Sequence, residues 1–116
     1  MKKRFRLLTY SDFQKTIKHG TPFPSKNLIV FALKNDTDQS LIGIRVSKKN
    51  GKAVVRNKIK RQIRAIVDKY WSYQLPITLV IIARPSYNVL EFSKIEEELK
   101  GLLIETEKKL WKKQQK

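Results

Sequence analysis

The run Ile77-Thr78-Leu79-Val80-Ile81-Ile82-Ala83 is apolar at every position but one. A strand with one face in water alternates apolar and polar side chains. A strand buried on both faces reads as a near-continuous apolar run. The stretch is far short of the roughly 20 residues that cross a membrane. It therefore predicts a central or parallel strand covered on both sides. The rest of the chain must supply its neighbours and its covers. With 116 residues there is room for one core and not for two.

Other segments fit around that strand. Ser11 is placed to cap a first helix, with Asp12 at the positive end of its dipole. The helix runs through Phe13, Ile17 and His19 to Gly20, read as a left-handed stop. Thr21-Pro22-Phe23-Pro24-Ser25 breaks it, and 23–26 reads as a further extended segment. Residues 28–33 are β-branched, aromatic and apolar, a strand. A turn cluster at 35–40 leads into the alternating stretch 41–47, read as the second strand of a hairpin. Val55, Ile59, Ile63, Ile66, Val67 and Tyr70 fall at helical spacing and form the expected core stripe of a second helix, which Pro76 cannot continue. A last helix begins near Glu91 or Ser93, with Ser93 and Glu96 spaced as a capping box, and runs to about Trp111. The tail 112–116 is expected to fray. The order α-β-β-β-α-β-α describes an α+β chain: a single-domain sandwich of an about four-stranded central sheet and three helices.

Charge sets the function class. The formal net charge is +16. Between residues 45 and 64 lie nine basic side chains and no acid, whereas six of the ten acids fall between 91 and 107. Like charges at Arg56, Lys60 and Arg64 repel by a few tenths of a kcal/mol per helical pair. A solvated face mixes its signs, so this one points to a polyanion, above all nucleic acid. A basic membrane-surface protein is the competing reading. No apolar stretch suits a signal peptide or a span, so a soluble protein is expected. The chain has no cysteine, which excludes disulfides and thiolate metal sites and is compatible with the cytosol.

Catalytic groupings are missing. His19 is the only histidine and reads as a surface residue at a helix end. Glu96, Glu97 and Glu98 are consecutive, point in different directions, and read as a solvated face. Ser47 beside Lys48 lacks a base, and Gly51-Lys52 lacks the rest of a phosphate loop. A self-sufficient enzyme is not expected. Phe13 and Ile17 share a helix face and Phe31 lies on a strand. These are either ordinary core residues or a stacking platform for single-stranded nucleic acid.

The stretch Arg45-Val-Ser-Lys-Lys-Asn-Gly-Lys-Ala-Val-Val-Arg-Asn-Lys-Ile-Lys-Arg-Gln-Ile-Arg64 resembles the signature of the bacterial ribonuclease P protein subunit. Asp12-Phe13, Lys18-His19-Gly20 and Ile81-Ile82-Ala83-Arg84 extend the resemblance over most of the chain. It implies a ribosomal protein S5 domain 2-like fold with a left-handed crossover, against the usual rule. It implies an accessory role in RNA-catalysed removal of the 5′ leader from precursor tRNA in the cytoplasm, with Mg²⁺ held mainly by the RNA subunit and no catalytic residue in the protein. The implied partners are ribonuclease P RNA and precursor tRNA, with neither a membrane nor a small-molecule substrate. Catalytic-RNA contacts carry over to Lys49, Lys52, Arg56, Asn57, Lys58, Lys60, Arg61 and Arg64. A cleft for the single-stranded leader carries over to Phe13, Ile17, Phe31, Arg45, Ser47, Lys48 and Arg84. The sequence departs from the family at Lys58, where Arg is usual, and at Ile17, where a second aromatic is frequent. Lys52 stands where Asn is common, and Pro85 follows Arg84 where a basic residue is common. A basic ribosomal or general RNA-binding protein is the alternative reading.

Overall fold

Ile77–Ala83 is the strand at which the sheet is joined. In a computed structural model that describes residues 1–6 and 8–111, and not the side chains of Lys3 and Arg4, the elements are α1 (Tyr10–His19), β1 (Thr21–Pro24), β2 (Leu28–Lys34), β3 (Leu41–Val46), α2 (Ala53–Tyr70), β4 (Ile77–Ala83) and α3 (Phe92–Leu110). Short 3-10 turns at Lys3–Arg6, Lys48–Asn50 and Val89–Glu91 complete the order. The sheet order is β1-β2-β4-β3. β4 pairs antiparallel with β2 and parallel with β3. Both of its faces are covered, as its composition requires: Ile77, Thr78, Leu79, Val80 and Ile81 are all buried.

The expected hairpin of β2 and β3 is not formed, because β4 lies between them. The connection 35–40 bonds to the segment leading into β4 instead. Asn35 N–H donates to Pro76 O at 2.9 Å and Ser40 N–H to Tyr73 O at 2.8 Å. The Asn35 side-chain amide reaches Thr78 Oγ1 at 3.1 Å. A parallel neighbour cannot be reached by a tight turn, so the chain crosses from β3 to β4 through α2. The edge strand β1 holds Pro22 and Pro24, tolerable where no second ladder is needed.

One face of the sheet carries the main core. Leu28, Val30, Ile42, Leu79 and Ile81 meet Ile59, Ile63, Ile66 and Val67 of α2 and Ile95, Leu99 and Leu103 of α3. Val55 does not join this stripe: it is 38% exposed. It lies against the loop, where a Cβ on Gly51 would be 3.6 Å from Val55 Cβ. α1 covers part of the opposite face and buries Thr16.

Helix ends differ from expectation. Thr9, not Ser11, caps α1: its Oγ1 accepts from Asp12 N–H at 3.1 Å. Gly20 is not left-handed; its φ is −76°. The reason for glycine is space, since a Cβ there would lie 2.4 Å from Thr16 O and 2.9 Å from Ala32 O. The Ser93 capping box is absent. α3 starts at Phe92 behind Glu91, which makes no side-chain cap bond, so Ser93 is already inside the helix. The tail 112–116 lies outside the described residues.

The three consecutive glutamates are not a uniform solvated face. Only Glu97 is exposed and without a bond of this kind among the described residues. Glu98 Oε2 accepts from Ser25 Oγ and, at 2.8 Å, from Asn27 N–H, while Oε1 accepts from Asn27 Nδ2 at 2.8 Å. This carboxylate ties α3 to the β1–β2 turn. Glu96 accepts from Lys69 Nζ and from Tyr70 Oη, each at 2.9 Å, joining α3 to the end of α2.

Glu98→Ala removes a charged acceptor of three bonds and should cost roughly 1.5–3 kcal/mol, read as a lower urea midpoint at unchanged m value. The hydrogen bond from Lys69, then that from Tyr70, holds the Glu96 carboxyl below the usual glutamate range. A carboxylate whose pKa is lowered by folding stabilises above its unfolded value and loses that contribution as pH falls through its folded value. Glu96→Gln should therefore flatten the stability-versus-pH curve below about pH 4.5, the ordinary value, in urea titrations.

Candidate nucleic-acid interface

The acid-free window folds into three consecutive pieces: the end of β3, a tight loop, and the first half of α2. Ser47 turns the chain, its Oγ accepting from Lys49 N–H at 3.3 Å. Asn50 Nδ2 donates to Arg84 O at 2.8 Å, which pins the loop to the end of β4. Gly51 has a φ of +118°, a conformation L side chains rarely adopt. Arg56 Nε closes the loop by donating to Gly51 O at 3.2 Å. Lys52 is the N-cap residue of α2 but forms no side-chain cap bond, and no acid lies in the first turn. The positive end of an 18-residue helix thus stands among Lys48, Lys49 and Lys52, all exposed.

Farther along α2, Val54, Asn57, Lys60, Arg61 and Arg64 line one shallow depression of about 470 Å³. The structure brings these four predicted polar residues together. Lys58 is separated from them. It lies on the other flank of Arg61, beside Gln62, Ala65 and Phe92. Ile59 and Ile63, on the inner side of the same turns, are fully buried, so the helix cannot rotate its charges inward without exposing them.

The second surface is the sheet face opposite the main core. Strand pairing sets Pro22, Phe31, Val80 and Gly43 in one row and Pro24, Ile29, Ile82 and Arg45 in the next. A four-strand row spans roughly 14 Å at the usual strand spacing. α1 crosses one end of this face, where Asp12, Lys15 and Thr16 meet Leu33, Leu41 and Thr78. Phe13 lies directly over β3: a Cβ on Gly43 would be 2.5 Å from Phe13 Cε2 and 2.6 Å from Leu8 Cδ2. Gly43 is therefore required by the close approach of the ring. Ile17 follows one turn later on the same helix face, and it, Phe13 and Phe31 are all partly exposed. Arg45, Ser47 and Lys48 are exposed at the end of β3. Arg84 follows β4, its N–H donating to Asn27 O at 2.9 Å. His19 is exposed at the end of α1, as its position suggested.

A cleft of about 210 Å³ at the β3 edge joins the two surfaces. Its walls include Arg6, Leu8, Phe13, Gly43, Lys60 and Arg64. The Nε atoms of Arg64 and Arg84 are buried and without a hydrogen-bond partner among the described residues. Among those residues, no three His, Asp or Glu side chains gather as a metal-ion group. No helix there is long and apolar enough to cross a membrane.

A family model described as ribonuclease P matches residues 1–107. The chain belongs to the ribonuclease P protein family. It is 38% identical over 104 residues to the ribonuclease P protein component of Streptococcus pneumoniae serotype 4, covering 89% of this chain and 85% of that one. The solved RNase P protein of Staphylococcus aureus is similar with a TM-score of 0.76 at 33% identity, over 88% of this chain and 94% of the other. That of Thermotoga maritima has a TM-score of 0.71 at 30% identity, over 84% and 94%. As a ribonuclease P protein component, the chain is a subunit of an endoribonuclease holoenzyme whose partner is the ribonuclease P RNA.

Sequence reasoning missed Arg6, Leu8, Gly43, Asn50 and Val54 as members of this candidate surface. Only Gly43 carried a signal, since a lone glycine inside a strand marks a close approach. Asn50 had none: its role depends on a bond to a residue 34 positions away. Gly43→Ala should displace the Phe13 ring and cost about 1–3 kcal/mol by overpacking, seen as a lower thermal midpoint with shifted Phe13 ring resonances.

Proposed function

We propose that the chain binds the ribonuclease P RNA through the loop and α2 and holds the single-stranded 5′ leader of precursor tRNA beside α1, along the sheet face opposite the main core. The observation that carries this reading is the joining of the two surfaces. A basic helix face without acids continues, across the cleft at Arg6, Lys60 and Arg64, into a face with Phe13 at its edge. Cationic side chains and an uncapped helix end suit phosphates. Partly exposed Phe13 and Phe31 suit unpaired bases, which stack on aromatic rings. Ile17 packs rather than stacks, so Phe13 and Phe31 carry the base contacts.

In this reading Lys49, Lys52, Arg56, Asn57, Lys60, Arg61 and Arg64 face the catalytic RNA, with Lys58 on the flank. Arg45, Ser47, Lys48 and Arg84 meet the leader. The protein's task is to neutralise phosphates where two RNAs meet, so that leader and catalytic RNA can approach. Mg²⁺ belongs mainly to the RNA. Two partly buried acids, Glu96 and Glu98, already accept bonds from protein groups, which favours structural work over metal binding there. The cytoplasm, where precursor tRNA is processed, is the matching compartment.

Cleavage of precursor tRNA should be measured at low Mg²⁺ with RNA alone, protein alone, and both. Activity in the combination alone is expected. Cleavage by the protein alone would assign the chemistry to it, and a protein that changes nothing would favour a general RNA-binding role. If six basic residues contact phosphates, log affinity should fall with log salt at a slope near about −4, from ~0.7 per phosphate. Phe13→Ala should weaken binding of leader-bearing precursor by about 5- to 100-fold and spare leaderless tRNA. Equal losses for both would remove the leader from this face.

A further inference from the structure

On the flank of α2 away from the basic depression, Lys58, Arg61, Gln62, Ala65 and Phe92 line a shallow, widely open groove of about 340 Å³. Its apolar members are Ala65, which is exposed, and Phe92, which is half-buried. Its rim is cationic. Gln62 is tethered through its amide, Nε2 donating to Val89 O at 3.1 Å and Oε1 accepting from Tyr87 Oη at 2.9 Å. Leu90, two residues before Phe92, is 85% exposed. Glu91, the acid between them, is engaged by Lys94 at 3.2 Å. Phe92 packs in part against the core, Ala65 does not, and the leader cleft does not use this surface.

The occupant must be flat, apolar on its faces, and attached to negative charge. A second copy of this chain would set Lys58 and Arg61 against their own equivalents in a molecule of net charge +16. Arg61 lines both this groove and the basic depression with Asn57, Lys60 and Arg64. A strand whose phosphates follow that depression passes the rim of the groove.

We propose that an unpaired nucleobase of the ribonuclease P RNA docks here, stacked on Phe92 beside the Arg61 guanidinium, with its phosphate toward Lys58. This rests on the reading that α2 binds that RNA. With one N–H held by Val89 O and Oε1 held by Tyr87 Oη, the Gln62 amide is fixed in orientation, and the groove accepts a base mainly by stacking. The basic helix then holds its RNA by one stacked base as well as by charge.

Ala65→Gln fills the groove without adding charge, at an exposed helix position where both residues are good helix formers. Phe92→Leu keeps an apolar floor and removes the ring. Arg61→Ala is the comparator. Affinity of the full chain for ribonuclease P RNA is measured across a salt series, together with base reactivity in the RNA. Thermal midpoints confirm folding. Ala65→Gln and Phe92→Leu should each weaken binding about tenfold at an unchanged salt slope, and one unpaired base protected by the wild type should regain reactivity. Arg61→Ala should also make the slope shallower by about 0.7. If Arg61→Ala weakens binding while both groove variants bind and protect like wild type, base docking is overturned and the α2 reading stands. If Arg61→Ala is also without effect, the α2 reading fails and takes the groove with it. An acidic peptide that binds the wild type but not Ala65→Gln, with RNA affinity unchanged, would assign the groove to a protein partner and overturn the proposal.

Discussion

β4 is buried on both faces and bonded on both edges, antiparallel to β2 and parallel to β3. The parallel partner forces a long crossover between β3 and β4, and the crossover is α2. The most basic segment of the chain is thus also the segment the sheet cannot do without. Ile59, Ile63, Ile66 and Val67 sink into the core from one side of that helix. Each buried side chain of this kind contributes about 1.5–3 kcal/mol relative to exposure. Repulsion among Arg56, Lys60 and Arg64 costs only a few tenths of a kcal/mol per pair. Burial wins, so a row of like charges can stand on the outer side of a stable helix.

The acids complete this separation. Glu98 holds the β1–β2 turn, Glu96 holds the end of α2, and Asp68 accepts from the Met1 amine and Tyr73 Oη. Each ties together elements that packing alone would leave loosely joined at their ends. No acid lines the basic depression, the groove beside it, or the cleft at the β3 edge. The basic surface therefore keeps its potential for RNA, while Glu96, Glu98 and Asp68 form internal ties elsewhere.

Much of the candidate interface was legible because its signal is chemical. The residues from Arg45 to Arg64 announce a phosphate partner by the absence of any acid, and their order resembles one family's signature. Lys60 and Lys58 could not be told apart that way, yet they line different surfaces, since helix rotation relative to the core decides which side chains converge. Ser11 was read as the cap of α1, and Thr9, two residues earlier, took the bond through Oγ1. Glu98 looked like one more solvated acid because Ser25 and Asn27, its partners, are more than 70 positions away in the chain.

By itself, the sequence determined that a continuous apolar strand must be central, that one helix divides into a buried stripe and a charged side, and that the partner is a polyanion. These are properties of periodicity and composition, which act locally. Only the tertiary structure decided that β4 separates β2 from β3, that Gly43 makes room for Phe13, that Asn50 anchors the basic loop to Arg84, and that α2 carries an apolar groove beside its basic depression. Those outcomes depend on which distant surfaces are buried together. Strand partners with similar apolar patterns are locally interchangeable, and their order is resolved only when the whole core closes.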